Sequence, residues 1–426
     1  MVIRKSSFFS LINTIVFSIA IFEIFFFSYE KFIYYHFAYY GYNLNYPSLG
    51  RHVVTLSIYL LLTVLPSKKF EKPSDFFLVY ILFIILLPAS VMVAYNAISY
   101  LLYGIYIFSY ITLLLITNFG SNIPKLKLVP FEFKKKYVAL SLISLSLITV
   151  SIFFKYKGGN LNFSFVDIYS YRDESRETFS GVLAYIIKWL SYSIFPFILV
   201  WGLYSRKNLI IFFAVLGQFL IFGFTNHKSY FFNIILIFAI YFIFNFLADK
   251  PKINKFNFIL IIFFVFSLFL MLMSFGDYGL IGSLFFRRLF FWPVLISDSY
   301  VNFALEYGFS FYNNIEPVSN IISSYMQREG EYTNTGYIAN AYLQGGILLL
   351  MMYNILLSMM LIIYNKAFQD RLPIQALICL CILTFRPLLG SDLLVGILSN
   401  GVAFMMLLQL IIFNSKYFFH SNEIKR

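Results

Sequence analysis

The chain has 426 residues, of which 60% are hydrophobic, 22% aromatic and only 12% charged, and its formal net charge is +13. A soluble domain carries about twice that charge fraction, and apolar runs able to cross roughly 30 Å of hydrocarbon recur along the whole length, so a soluble globular protein is excluded. The runs lack the alternation of an outer-membrane barrel, and Cys379 and Cys381 are too close together for an ordinary bridge and have no zinc-ligand partners, so no metal or cofactor is expected.

Met1-Val-Ile-Arg4-Lys5 followed by an apolar run begins like a signal peptide. No small-residue cleavage site follows and Glu23 interrupts the run, so it is read as an uncleaved first span. Apolar runs then predict spans at 8–28, 52–66, 75–96, 98–118, 137–155, 182–204, 209–224, 230–248, 258–275, 336–364, 373–388 and 393–414. The expected fold is therefore all-α, a polytopic membrane protein of about twelve transmembrane helices. Residues 1–426 read as a single transmembrane domain, with a long outer (periplasmic-side) loop at 276–335 inside it.

Placing the N-terminus in the cytoplasm puts 20 of the 32 lysines and arginines in alternate loops on that side, among them Lys68, Lys69, Lys72, Lys134, Lys135 and Lys136. That satisfies the positive-inside rule and makes both termini cytoplasmic. The positive charge is accounted for by this bias and by anionic inner-leaflet lipid, not by nucleic acid. Arginine is distributed differently. Arg51, Arg172, Arg176, Arg287, Arg288, Arg328 and Arg386 all lie where topology needs no positive charge. Guanidinium groups stay charged and grip carboxylate or phosphate in a two-pronged fork, so these positions suit an anion. No cytoplasmic segment carries a Gly-rich phosphate loop. An enzyme built this way would receive an already activated substrate, such as a lipid-linked diphosphate.

Five polar segments carry the chemistry. Tyr171-Arg172-Asp173-Glu174-Ser175-Arg176 is a mixed-charge loop that is either self-paired or turned toward a phosphate. Thr225-Asn226-His227-Lys228-Ser229 is a tight turn with a histidine able to act as a base and a lysine that topology does not require. Arg287-Arg288-Leu-Phe-Phe-Trp292-Pro293 reads as an interfacial anchor or a diphosphate clamp. Arg328-Glu329-Gly330-Glu331 closes the long loop. Arg386-Pro387 with Ser391-Asp392 marks the end of a broken helix. A general base must lie near the attacking hydroxyl, and Glu329, Glu331, Asp298 and His227 are the candidates on this side.

The order of these pieces resembles the bacterial O-antigen polymerase (Wzy-type) family of oligosaccharide repeat-unit polymerases. The pieces are Ile168-Tyr169-x-x-Arg172, Lys228-Ser229, Arg288 with Pro293, Asn334-x-Gly336-x-x-Ala339 with Gly345-Gly346, and Leu389-Gly390-Ser391-Asp392-Leu393 with Gly401 beyond. The resemblance covers roughly Val166 to Gly401. It implies a glycosyltransferase of the bacterial inner membrane, related to the C-type glycosyltransferase membrane fold, with its site facing the periplasm or exterior. Its substrates would be undecaprenyl-diphosphate-linked glycans, polymerised into O-antigen or capsule-type polysaccharide. A chain-length regulator and a flippase would be its partners beside the bilayer. Under it Arg172, Arg176, Lys228, Arg287, Arg288, Arg328 and Arg386 would hold the diphosphate, and Asn334, Tyr337 and Asn340 the glycan. The related O-antigen ligases place a His-Asn pair where this chain has Asn334-Thr335, which argues against ligase. A flippase of the Wzx type is the competing reading, disfavoured by the long polar stretch.

Overall fold

The computed structural model describes residues 5–67, 69–124, 135–157, 161–163, 171, 174–175, 177–248, 250, 253–275, 279–313, 316–328, 333–368 and 372–413. Among these the regular structure is entirely helical. Among the described residues, nine helices are long and apolar enough to cross a membrane: Phe8–Tyr40, Pro73–Ala94, Tyr100–Phe119, Val182–Tyr204, Asn208–Thr225, Lys228–Ala248, Lys255–Ser274, Tyr337–Phe368 and Leu393–Phe413. Three shorter apolar helices, Leu49–Val64, Ile143–Tyr156 and Ile374–Gly390, fall where the remaining spans are expected. This is a polytopic helical membrane protein.

The chain forms two compact units. The first comprises Met1–Asn122, Lys250–Ile362 and Leu389–Leu393, the second Ile123–Asp249, Ile363–Leu388 and Leu394–Arg426. The first is organised around Phe25 of the Lys5–Ser28 helix. Its ring meets Phe263 at 6.1 Å, Phe286 at 5.3 Å, Phe290 at 4.9 Å and Phe291 at 5.9 Å between centroids. Helices in lipid gain little from excluding water, so close packing of this kind supplies much of their association. Edge-to-face ring pairs add about 0.5–1.5 kcal/mol each. Glu23, the carboxylate of the first span, is matched by His52, with Nε2 and Oε1 2.9 Å apart.

Three helices share one construction. A π-helical stretch runs over Leu82–Leu86, Leu190–Ile194 and Ser283–Phe291, and a proline follows two residues later, at Pro88, Pro196 and Pro293. The residue before each proline bonds five residues back, Leu87 to Leu82, Phe195 to Leu190 and Trp292 to Arg287. A proline inside an α-helix lacks its N–H and strikes the carbonyl four residues earlier. The wider π turn lets the helix continue past that obstacle. The carbonyl the proline leaves free then needs another donor. In the second unit, Ser191 O lies five residues before Pro196 and accepts from Gln218 Nε2 at 2.9 Å and Asn233 Nδ2 at 3.3 Å. The same unit is tied by Tyr364 donating to Gln409 Oε1 at 2.7 Å and Gln409 Nε2 donating to Thr384 Oγ1 at 2.9 Å.

Residues 276–335, expected as a loop, are largely helical where described. The π stretch Ser283–Phe291 runs into Trp292–Tyr307, and Val318–Tyr325 follows. Apolar residues recur on one face, burying Phe286, Phe290, Phe291, Val294, Leu295, Val301 and Ala304. These helices are amphipathic and short, so they lack the unbroken apolar run that marks a span.

Candidate functional site

The Lys5–Ser28 helix continues as a π stretch over Tyr29–Tyr34 and a last turn at Tyr35–Phe37. It ends in a 3-10 turn, Ala38–Tyr40, where Gly41 adopts φ 90° and its N–H bonds Ala38 O at 2.9 Å. This ending sets out Phe37, Tyr40 and Tyr42 as an aromatic floor. Tyr29 fixes the floor from beneath by donating to Asn43 O at 2.8 Å. Trp292 adds a wall, meeting Tyr40 at 5.5 Å with the planes 82° apart.

Two guanidinium groups converge on that floor. The central carbon of Arg287 lies 4.5 Å from the Tyr40 ring centre and 4.6 Å from that of Phe37. That of Arg328 lies 4.0 Å from the same Tyr40 ring and 5.3 Å from Trp292. Arg328 comes from the turn that ends the Val318–Tyr325 helix. There its N–H bonds Ser323 O at 2.8 Å, Ser323 Oγ donates to Arg328 O, and Arg328 Nη2 donates to Tyr39 O at 3.0 Å. Arg287 sits on the π stretch with its Nε bonded to Ser283 Oγ at 3.1 Å.

Arg287 is only 7% exposed. Among the described residues no carboxylate lies within ion-pair distance of it. A buried charge is normally paired, because desolvation without compensation costs several kcal/mol. Tyr42 is 1% exposed and, among the described residues, its hydroxyl has no hydrogen-bond partner. Burial pushes the Tyr42 phenol well above its ordinary range, and Arg287 beside it pulls the other way. An uncompensated guanidinium, a second cation on the same ring and an unused hydroxyl donor form a cage suited to an anion. Its aromatic faces could also lie against a sugar ring or an apolar stem.

A second cluster joins distant parts of the same unit. The Tyr337–Phe368 helix is interrupted at Gly345 and Gly346. Tyr312 bonds Tyr353 through their hydroxyls and donates to Asp392 Oδ2 at 3.0 Å. Burial, the Tyr353 bond and the Asp392 charge raise the Tyr312 phenol. Gly336 is pressed against the other chain segment, since a Cβ there would lie 2.6 Å from Leu389 O. The Asn334–Gly336 and Leu389–Asp392 pieces of the sequence thus meet.

The remaining predicted residues divide clearly. Asp298 is buried and its carboxylate is already occupied. Oδ1 accepts from Ser99 N–H at 2.9 Å and Ser99 Oγ at 2.6 Å, and Oδ2 from Asn302 Nδ2 at 3.0 Å. Burial raises its carboxyl, while the Ser99 and Asn302 donors hold it down. Tyr337 is fully buried and donates to Asn354 Oδ1 at 3.0 Å. Asn340 is buried and donates to Thr335 O at 3.2 Å. Both side chains are engaged inside the unit, whereas Asn334 is exposed. Arg288 is half-buried on the π stretch. His227, Lys228 and Arg386 belong to the second unit, His227 and Lys228 at the start of the Lys228–Ala248 helix and Arg386 just after Ile374–Phe385. Glu329, Glu331, Arg172 and Arg176 lie outside the described residues. Sequence reasoning missed Phe37, Tyr40, Tyr42 and Trp292 as the floor of an arginine cage. The signal available was the tyrosine-rich run Tyr34 to Tyr42 directly after an apolar span.

No family model, curated protein or solved structure matches the chain.

Proposed function

We propose that the protein is a membrane glycosyltransferase that polymerises undecaprenyl-diphosphate-linked oligosaccharide repeat units on the outer face of the bacterial inner membrane. The acceptor hydroxyl of one lipid-linked unit attacks the anomeric carbon of the growing glycan. The new glycosidic C–O bond forms as the bond to undecaprenyl diphosphate breaks, and that diphosphate leaves with the electron pair. The hydroxyl proton passes to a base, for which Glu329 and Glu331, next to Arg328 in the sequence, are the candidates.

The observation that carries this reading is the buried Arg287, which among the described residues has no carboxylate at ion-pair distance and shares the Tyr40 ring with Arg328. A leaving diphosphate gathers negative charge as its bond breaks. Fixed guanidinium groups in a dry setting stabilise such charge without having to reorganise. Forked N–H donors match phosphate oxygens two at a time, and the Tyr42 hydroxyl adds a further donor. Asn334 and the aromatic faces would touch the glycan side.

The test is incubation of the purified protein, in lipid, with a synthetic undecaprenyl-diphosphate repeat unit, followed by separation of products by size. A ladder of multiples of the input unit is expected. Intact input with no longer product, from protein that still melts cooperatively, would overturn the proposal.

A further inference from the structure

The Tyr337–Phe368 helix carries a break whose depth can be placed. Past Gly346 the helix runs from Ile347 to Phe368, about 22 residues or roughly 33 Å at 1.5 Å per residue. That part alone is long enough to cross the hydrocarbon. The eight residues before the break are not needed for crossing, so Gly345 and Gly346 stand near one edge of the apolar layer. The surface beyond the break agrees, since Leu348 is 72% and Met352 63% exposed and both are apolar.

A helix broken at that depth frees carbonyls that lipid cannot satisfy. Leu343 O and Gln344 O are bonded instead by the N–H groups of Ser310 and Phe311, each at 3.0 Å. Gln344 Oε1 accepts from Ser310 Oγ at 2.5 Å and from Tyr312 N–H at 2.7 Å. The Gly308–Tyr312 turn is therefore fixed at the level of the break. Gly346, at φ 62°, leaves room for the Phe309 ring, which a Cβ would meet at 2.8 Å. Phe311 and Tyr312 are themselves held at φ 47° and 59°, a left-handed conformation unfavourable for residues with a side chain. The turn nonetheless directs apolar rings outward: Phe311 is 64% exposed and Tyr307 just before it 68%. This aromatic rim continues directly into the lipid-facing stripe that starts at Ile347 and Leu348.

We propose that the Tyr307–Tyr312 segment is a bilayer anchor, with Tyr307, Phe309 and Phe311 seated in the headgroup and upper acyl region of a phospholipid surface. Aromatic rings favour that depth. The anchor fixes the broken helix, and with it the Tyr312–Asp392 contact, at the membrane surface. The proposal does not depend on the enzymatic reading.

Its test is a nitroxide depth measurement in vesicles of phosphatidylethanolamine and phosphatidylglycerol. Cys379 and Cys381 are fully buried, so the label reports an introduced cysteine. Phe311→Cys is compared with Leu348→Cys as the lipid standard and Glu316→Cys as the water standard. The ratio of collision with oxygen to collision with a nickel chelate at residue 311 should lie nearer the value at 348, several-fold above that at 316. Tyr307→Cys, outside the strained pair, should read the same and serves if Phe311→Cys does not fold. A label at either position that matches 316 overturns the proposal.

Discussion

Replacing Arg287 by Met separates a cage built for an anion from one that is merely packed. Methionine keeps an unbranched apolar stem and removes the charge. The Arg287 and Arg328 carbons lie 4.5 Å and 4.0 Å from the Tyr40 ring centre. Laid end to end these distances put the charges at most about 8.5 Å apart, a repulsion of at least about 2 kcal/mol at an effective dielectric constant near 20. Burial of Arg287 adds a desolvation cost of several kcal/mol. Against these stand contacts with Phe37 and Tyr40 worth about 0.5–2 kcal/mol each. The ligand-free Arg287→Met protein should therefore be as stable as the wild type, or more so. Loss of one member of a buried ion pair would instead cost about 3–5 kcal/mol. A diphosphate present at 100 times its Kd should stabilise the wild type by about 2.7 kcal/mol, and this gain should vanish in the variant. Thermal unfolding in detergent, with and without a polyprenyl diphosphate, measures both effects. A variant that melts far below the wild type yet keeps the full ligand shift would refute the reasoning.

Asp298→Ala leaves the Ser99 and Asn302 donors without their acceptor and should cost about 2–4 kcal/mol, while Asp298→Asn should cost under about 1 kcal/mol because its oxygen can keep the Ser99 bonds. The carboxyl is raised in the folded state, so its contribution to stability is present below the unfolded value near 4 and is lost as pH rises through the folded value. Melting curves should accordingly show the Asn variant gaining on the wild type from acid toward neutral pH. Gly336→Ala places a Cβ 2.6 Å from Leu389 O, and the forced shift should lower stability by about 1–3 kcal/mol in a chemical-denaturation series. Gln344→Leu should speed hydrogen exchange at the Tyr312 amide, leaving Ser310 and Phe311 protected because their acceptors are backbone carbonyls. Pro293→Ala should let the preceding π stretch relax toward α-helix, abolishing diphosphate-induced stabilisation although Arg287 is still present; Pro88→Ala, in the same construction elsewhere, should leave that stabilisation intact.

The spans were legible because lipid demands unbroken apolar runs, and among the described residues nine of the expected runs coincide with a helix long and apolar enough to cross, while three shorter apolar helices fall at the others. The helices inside the polar stretch were not legible because its charge reads as a sign of solvent. Helix Trp292–Tyr307 buries Val294, Leu295, Val301 and Ala304 on one face, a period that a search for spans passes over. Arg287 and Arg288 look equivalent in sequence, and only the helical phase buries the first and leaves the second half-exposed. Tyr337 and Asn340 follow an exposed Asn334 and read as outward. Their helix turns both into the unit, where each finds a hydrogen-bond partner. Tyr40 and Tyr42 were hidden because aromatic residues are abundant throughout and because about 245 residues separate them from Arg287.

The proline constructions tie these observations together. A π turn takes more residues than an α turn, so a π stretch changes which side chains face the interior beyond it. At Leu82–Leu86 and Leu190–Ile194 the stretches are five residues long and bury mainly apolar groups and serines. Before Pro293 the stretch is nine residues long and its buried face is Phe286, Arg287, Phe290 and Phe291. The same solution to a helical proline, extended by about one turn, brings a guanidinium in among phenylalanines. Nothing in helix continuity requires an arginine there, and the apolar residues of the other two stretches meet the same backbone need. On the function proposed above, a charge kept at that position, stacked on Phe37 and Tyr40 beside Arg328 and the Tyr42 hydroxyl, would be compensated by the anion that enters the cage.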